Sequence, residues 1–578
     1  MKILRVNMTE QTCTWEHLPQ KWRLLGNRGL AAKIVLKEVP PTCEPLGPYN
    51  KLIIAGGPLA GMGVSSAGRL SIAGKSPLTG GIKEANAGGT GATYMARHGI
   101  RAIVAEGMPA DKEQLFLLYI NKDGVKLISA PELKGLGNYA LAAALLERYG
   151  ARNSIISIGQ AGELGMAAAG VFNTDAAGSP SRAAGRGGLG AVMGSKGLKA
   201  VVIAGDGTYE FPLAQPETFK ELRQKLHKMI IDSPYSGQQM PKYGTAGLVP
   251  SISVMGAMPT RNFSSGSFEK AEDISGEALY QLITNRGGEG KATHACMPGC
   301  LVRCSNVVPD AEGKEIVSPV EYEALAMVGS NLGIGDLDAI AEINRRCNDY
   351  GLDIIEIGVA IGVAMDGGLL PFGDVEGTLR LLDEIAQGTV LGRVLGQGAV
   401  ITGKVFNVYR IPAVKGQGMA GHEPRAVKGM SVTYAMSPMG ADHTAGVTTK
   451  APVEQTNPKG QMELSRNTQV DSAGTDTLGF CMFAPRCHES SHAVILKMLE
   501  AAYGVELDAD FWQEVGKDTI KTERIFNERA GFTQADDRMP EFMLTEPLPP
   551  TNAVSDIPAE DYGRFWAEEF WGPLEEIW

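Results

Sequence analysis

The chain has 578 residues, 44% of them hydrophobic and 21% charged, and its 65 acidic against 54 basic side chains give a formal net charge of -11. That length asks for two to four packed domains, and the acidic balance argues against nucleic acid or an anionic membrane surface as the main partner. No apolar run reaches the ~18 residues a spanning helix needs, the start turns polar too soon for a secretory signal, and eight unevenly placed cysteines do not make a disulfide framework, so the sequence reads as a cytoplasmic protein acting on a small molecule.

In chain order, residues 1 to about 208 alternate short β-rich runs, such as 52–55 and 115–120, with glycine-rich turns and a few helices. One loop runs from Arg69 to Gly80 and leads to Asn86-Ala87-Gly88-Gly89 ahead of an apparent helix. A second runs from Ser181 to Lys196 and sets Arg182, Ala183, Gly185, Arg186 and Lys196 among glycines. Cationic side chains on backbone that can approach closely suit phosphate oxygens, although a dinucleotide reading of the second loop would need a strand before it and a helix after it. The 73 glycines are nearly twice the usual ~7%, and two such loops imply an extended anionic or heterocyclic cofactor. From about 209 to 415 the pattern is helical, with a helix opening at Asp336, running toward Tyr350 and stopped by Gly351, and Asp353 placed to cap the next. From 416 the segment is mixed: glycine-bearing loops to Phe480, helix-like stretches near 489–503 and 508–531, and an aromatic tail ending at Trp578.

Cys296, Cys300 and Cys304 place three thiols in nine residues around a Pro-Gly bend. Soft thiolates at such spacing select an iron-sulfur cluster or zinc, and the paired knuckles of a structural zinc site are missing. A fourth thiol would close a four-iron, four-sulfur cluster and make it an electron relay. The candidate is Cys481, behind the turn Gly479-Phe480. With three thiols only, an iron left open would suit a hydro-lyase, and a cluster with no further chemistry would make a plain electron carrier.

Taken in order, Arg69 to Gly89, Arg182 to Lys196, Glu321-Tyr322-Glu323, Gly351-Leu352-Asp353, Ser437 to His443 and Asp476 to Cys481 resemble the tungsten- or molybdenum-dependent aldehyde ferredoxin oxidoreductase family along the whole chain. The resemblance implies an α+β fold: an N-terminal domain of two β-sheets with helices forming the cofactor base (1–208), then two mostly helical domains (209–415 and 416–578). It implies one tungsten or molybdenum atom held by two pyranopterins, with magnesium bridging the pterin phosphates, beside one 4Fe-4S cluster on Cys296, Cys300, Cys304 and Cys481. Arg69, Asn86, Ala87, Gly88, Arg182, Ala183, Gly185 and Arg186 would then line the pterins. The turns Asn348-Gly351-Leu352-Asp353 and Asp476-Gly479-Phe480 would be the paired pterin-binding loops. Glu321, with Glu323, would manage the proton as an aldehyde is oxidised to a carboxylic acid, and His443 would donate a hydrogen bond to the carbonyl oxygen. Electrons would leave for ferredoxin or a ferredoxin-like iron-sulfur subunit; a homodimer is common in that family. Three departures mark a divergent branch: CxxxCxxxC in place of CxxCxxxC, Asn348 where Asp is usual, and Gly26-Asn27-Arg28-Gly29 where two glycines usually lead. They leave room for another substrate, such as an aryl thioester, in a larger complex.

Overall fold

The apolar runs of the N-terminal third pair into two six-stranded sheets in the computed structural model, which describes residues 1–573; Trp578, the end of the aromatic tail, lies outside that range. The first sheet runs Thr12–His17, Lys2–Asn7, Ile100–Glu106, Leu52–Gly56, Leu70–Lys75, Ile82–Ala87. The second runs Arg182–Ala184, Val171–Asn173, Ser154–Ser157, Leu198–Ile203, Phe116–Asn121, Gly124–Ser129. Their inner strands are buried along their length, which is why they read as continuous apolar runs rather than alternating ones. The sheets share a core in which Leu4, Leu52, Leu70 and Ile103 of the first meet Phe116, Ile156, Leu198 and Val201 of the second. The helix Asn27–Glu38 packs on the far side of the first sheet and Asn138–Tyr149 on that of the second.

The rest is mostly helical, giving the α+β class expected. The helix Leu337–Tyr350 starts at Asp336, whose side chain accepts from the backbone N–H groups of Asp338 and Ala339, and stops at the left-handed Gly351; Asp353 caps Ile354–Asp366. The stretches near 489–503 and 508–531 form Ser491–Tyr503 and Phe511–Arg529. Among the described residues no helix is long and apolar enough to cross a membrane.

Three readings need correcting. Much of the segment from Arg69 to Gly80 is not loop: Leu70–Lys75 is an inner strand pairing with both Leu52–Gly56 and Ile82–Ala87, and its closing Gly-Lys disguised it. The Lys75 ammonium is satisfied by the carbonyls of Pro41 and Cys43. The Ser181–Lys196 loop contains the strand Arg182–Ala184 and the helix Leu189–Ser195, so the strand-glycine-helix order is present. Finally, the supposed loops between 416 and 480 hold the helices Lys428–Met436 and Gln461–Thr477. The second buries Gln461, Ser465, Gln469, Ser472 and Thr475 alongside Met462, Val470 and Ala473, so its helical hydrophobic period is weak.

Buried charge ties the C-terminal helices to the first sheet. Arg28 is 1% exposed; its Nε and Nη2 donate to Glu523 at 2.8 and 2.9 Å and its Nη1 to Asp476 at 3.3 Å. Removing a buried cation leaves its partners uncompensated, at a cost of about 3–5 kcal/mol. Arg28→Met is therefore expected to lower the urea midpoint by that order of stability. An unchanged midpoint would mean that apolar packing alone holds Phe511–Arg529 in place.

Candidate active site

The three-cysteine loop connects two strands, Lys291–His294 and Ser305–Pro309, whose pairing of His294 with Ser305 fixes both ends of the loop. Inside it the Arg303 N–H points at the Cys300 thiol. Cys481 arrives from the other helical region and is held by its own N–H, which donates 2.8 Å to the Ser66 carbonyl. The first sheet supplies the floor: the Gly89 N–H donates 2.7 Å to the Cys296 carbonyl, and a Cβ on Gly88 would sit 3.0 Å from Cys296 Sγ. Cys296 faces Cys300, and Cys304 and Cys481 lie within electrostatic reach of Cys296 and of one another. The hydrogen bond with Cys300 and burial push the Cys296 thiol well up, and burial does the same to Cys304. The shared hydrogen bond lowers Cys300 instead, and cationic charge among the sulfurs would favour the thiolate at every position. Among the described residues no three His, Cys, Asp or Glu side chains are grouped as ligands of a single metal ion. The four thiols are gathered within electrostatic reach of one another, with Cys296 and Cys300 in hydrogen-bond contact.

Beside them lies an interior chamber between the sheets and the helices. Glu321 is enclosed by protein yet still touches open space, and Ala183, on the edge strand of the second sheet, is exposed as well. Arg69 and Arg182, one from each sheet, both act electrostatically on Glu321 and on Cys296. The Arg69 Nε donates 2.8 Å to Asn86 Oδ1, and Asn86 passes its own N–H to Asp476 at 3.2 Å. Arg182 is fixed by Asp175 at 3.0 Å and by Ser305 and Ser318 at 2.6 and 2.9 Å. Asp175 also faces His294 at 2.9 Å; despite the opposing effect of burial, these partners hold its carboxyl down at about 2. Arg186 donates 2.7 Å to the Ala441 carbonyl and 3.3 Å to Asp353.

The two glycine turns dock on opposite sheets. Gly479 has φ +78° and a Cβ there would fall 2.6 Å from Gly57 Cα; Gly351 has φ +76° and its Cβ would fall 2.6 Å from Gly159 N. Both positions need a left-handed backbone and no side chain. Leu352 and Phe480 are buried beneath the turns, and Ala87 closes the strand that carries Asn86. Gly185 lies against Asp353, and Asn348 keeps a buried Nδ2 without a hydrogen-bond partner among the described residues.

Glu321, Glu323 and His443 separate into two positions. Among the described residues the Glu321 carboxylate has no hydrogen-bond or ion-pair partner; burial raises its pKa while Arg182 and Arg69 oppose the shift. Glu323 instead meets His443, with Oε1 3.4 Å from Nε2, and its Oε2 accepts from the Gly421 N–H at 2.8 Å. Burial lowers His443 to about 4, so the imidazole is neutral near pH 7. Sequence reasoning missed three neighbours. Lys83, from the first sheet, forms a buried ion pair with Asp442, whose Oδ1 lies 3.9 Å from His443 Nδ1. His422 approaches the same Glu323 oxygen, its ring 5.8 Å from that of His443. His422 is a single histidine in the stretch Gly421-His422-Glu423-Pro424-Arg425, and nothing in its spacing marks it. The pair His488 and His492 forms no joint site: His492 faces Asp471 at 3.0 Å and His488 Nδ1 meets Ser490.

Fold and comparisons define the protein as an oxidoreductase. The chain belongs to the aldehyde ferredoxin oxidoreductase family, whose N-terminal domain matches residues 3–205 and whose domains 2 and 3 match residues 221–565. It is 34% identical to the tungsten-containing aldehyde ferredoxin oxidoreductase of Thermococcus kodakarensis over 95% of this chain and 92% of that one. The enzyme of the same name from Pyrococcus furiosus is 33% identical over 92% and 89%. The aliphatic sulfonate oxidoreductase, WOR-like subunit, of Pyrococcus furiosus is 27% identical over 77% and 74%, which fits a divergent branch. Among solved structures, the active-site complex BamBC of benzoyl coenzyme A reductase with 1,5-dienoyl-CoA shares the fold, with a TM-score of 0.78 at 21% identity over 98% of this chain and 92% of that one.

Glu84, behind Asn86 on the same strand, is pushed up to about 8 by burial and by Asp476, against the pull of Arg28. A carboxyl whose folded pKa is raised favours the fold fully below its unfolded pKa, and that contribution drains away as pH rises toward the folded value. Glu84→Gln keeps a partner for Ser71 without the charge. Its melting temperature is therefore expected to gain on wild type steadily between pH 5 and 8; a constant difference across that window would show that Glu84 does not titrate there.

Proposed function

We propose that this chain oxidises an aldehyde to a carboxylic acid, using a tungsten bis-pyranopterin and one 4Fe-4S cluster, and passes the electrons to ferredoxin or a ferredoxin-like iron-sulfur subunit. The observation that carries this reading is the convergence of Cys296, Cys300, Cys304 and Cys481 on a chamber whose walls bear Arg69 and Arg182 and, beyond them, Glu323 and His443. Tungsten is favoured over molybdenum by the names of the 33–34% identical relatives.

The residues present fit such a group. Arg182 Nε and Asn348 Nδ2 are buried donors without hydrogen-bond partners among the described residues, and Ala183 leaves its strand open toward the chamber. Four thiols brought together have the donor chemistry of a cluster with one sulfur ligand per iron. When bound, the pterin-held metal supplies the two-electron oxidation and the cluster carries electrons out one at a time. Arg69, Arg182 and Arg186 would hold the anionic pterins and their magnesium, while Asn86 from its strand and Asp353 and Asp476 at the two glycine turns would orient the ring nitrogens. Glu321, facing the chamber, takes a proton from the water that is incorporated. His443, neutral and with Nε2 facing Glu323, donates a hydrogen bond to the aldehyde oxygen. The hydro-lyase alternative falls with membership of an oxidoreductase family.

Anaerobically purified protein is expected to contain about one tungsten and about four irons per chain, and Cys481→Ser to lose iron. His443→Ala and Glu321→Gln should each abolish oxidation of aldehydes with a low-potential dye at unchanged tungsten and iron content. Full rates in either variant would remove that residue from the chemistry. Turnover of an aryl thioester or an aliphatic sulfonate, with none of any aldehyde, would move the substrate class and leave the cofactors in place.

A further inference from the structure

Glu323 has two histidine neighbours. His422 Nε2 lies 3.5 Å from Glu323 Oε1, the same oxygen that His443 Nε2 approaches at 3.4 Å. Oε1 is buried and has no well-formed hydrogen bond among the described residues, whereas Oε2 is anchored by the Gly421 N–H. The carboxylate is thus fixed by one oxygen and presents the other to both imidazoles, each just beyond hydrogen-bond contact. Both histidines carry a buried Nδ1 with no hydrogen-bond partner among the described residues. His422 is held in plane by Tyr322, stacked at 5.2 Å with 19° between the rings, and its carbonyl accepts from Tyr434 at 3.3 Å. Its backbone is locked as well, because the next residue, Glu423, donates its N–H to the Ala257 carbonyl and pairs with the buried Arg425. Ordinary core histidines are placed by hydrogen bonds from the ring. This one is placed by stacking and backbone, with Nδ1 left without a hydrogen-bond partner among the described residues and Nε2 turned to Glu323.

Resting on the aldehyde reading above, we infer that His422 is the outer station of a proton relay that runs from His443 through Glu323. One aldehyde and one water give one carboxylic acid, two protons and two electrons. A carbon–oxygen bond forms, the aldehyde carbon–hydrogen bond breaks, and the electrons leave for a one-electron iron-sulfur acceptor. Glu321 takes one of these protons and His443 the other, and a neutral imidazole holds only one at its free nitrogen. Protonated His443 gives its Nε2 proton to Glu323 Oε1, which shares it with His422 Nε2; the proton is held there while the product leaves and returns through His443 to water in the emptied site. The groups facing this unit are Tyr322 and Tyr434 beside His422, with Asp442 and Arg186 on the His443 side. His422 acts through Glu323 and positions the proton; it does not touch substrate.

The test is a double-mutant cycle in the loaded enzyme. His422→Gln keeps a donor toward Glu323 but cannot carry a proton, and His422→Phe keeps the stack on Tyr322. Both are expected to lower kcat for an aldehyde about a hundredfold, the scale of lost acid–base transfer, with KM, tungsten and iron unchanged. In a Glu323→Gln background, His422→Gln should add almost nothing, because residues acting as one unit are not additive. Independently of turnover, the infrared band of the protonated Glu323 carboxyl, assigned by its loss in Glu323→Gln, should shift in His422→Gln. Wild-type kcat in His422→Gln, or losses that multiply in the double variant, would overturn the relay and leave His422 as a packing partner of Tyr322. If wild type oxidises no aldehyde, the functional reading fails, and the infrared shift alone then decides the coupling.

Discussion

Two backbone-on-backbone contacts hold the architecture together: Gly479 on Gly57 at the first sheet and Gly351 on Gly159 at the second. Each is the left-handed end of a helix or its following turn, pressed so close to a sheet that a methyl group would overlap main-chain atoms. From these contacts the rest of the site follows. The first sets Asp476 beside Asn86 and delivers Cys481 to the Ser66 carbonyl; the second sets Asp353 against Gly185 and Arg186. The chamber is the space that remains between two such dockings.

Charge is arranged around that chamber with a division of labour. The arginines nearest the open space, Arg69 and Arg182, face thiols and the unpaired Glu321, while their outer edges are held by Asn86 and Asp175. Farther back, ion pairs such as Arg28 with Glu523 and Lys83 with Asp442 are closed on themselves and hold elements together. Around Glu323 the polarity changes: two imidazoles, both lowered to about 4 by burial, flank one carboxylate. Neutral rings in that position can accept protons, which a permanent cation could not do.

Much of the framework was legible in the chain because it rests on local chemistry. Three thiols around a Pro-Gly bend, Asp336 opening a helix that Gly351 stops, and the glycine-framed arginines all announce themselves by residue type and spacing. What escaped depends on tertiary packing. Leu70–Lys75 looked like loop because its end is Gly-Lys, yet that lysine caps carbonyls from a distant turn. His422 matters through a stacked tyrosine and a carboxylate 99 residues earlier in the chain, a separation visible from the numbering alone. Cys481 could be nominated from its turn, but only folding brings it to the loop of Cys296.

The helix Gln461–Thr477, which leads into Gly479 and Cys481, faces its neighbours mostly with amide, hydroxyl and small side chains, with Met462 and Val470 as its larger apolar contacts. Helices without an apolar stripe gain little from collapse, and in isolation 17 residues of this composition are marginal in water. It becomes a helix by docking against Phe511–Arg529, where Trp512 passes its indole N–H to the Asp471 carbonyl and Thr519 meets Thr477. The place of the Cys481 thiol therefore depends on a helix far from the other three cysteines in sequence, through contacts that stand well behind the site.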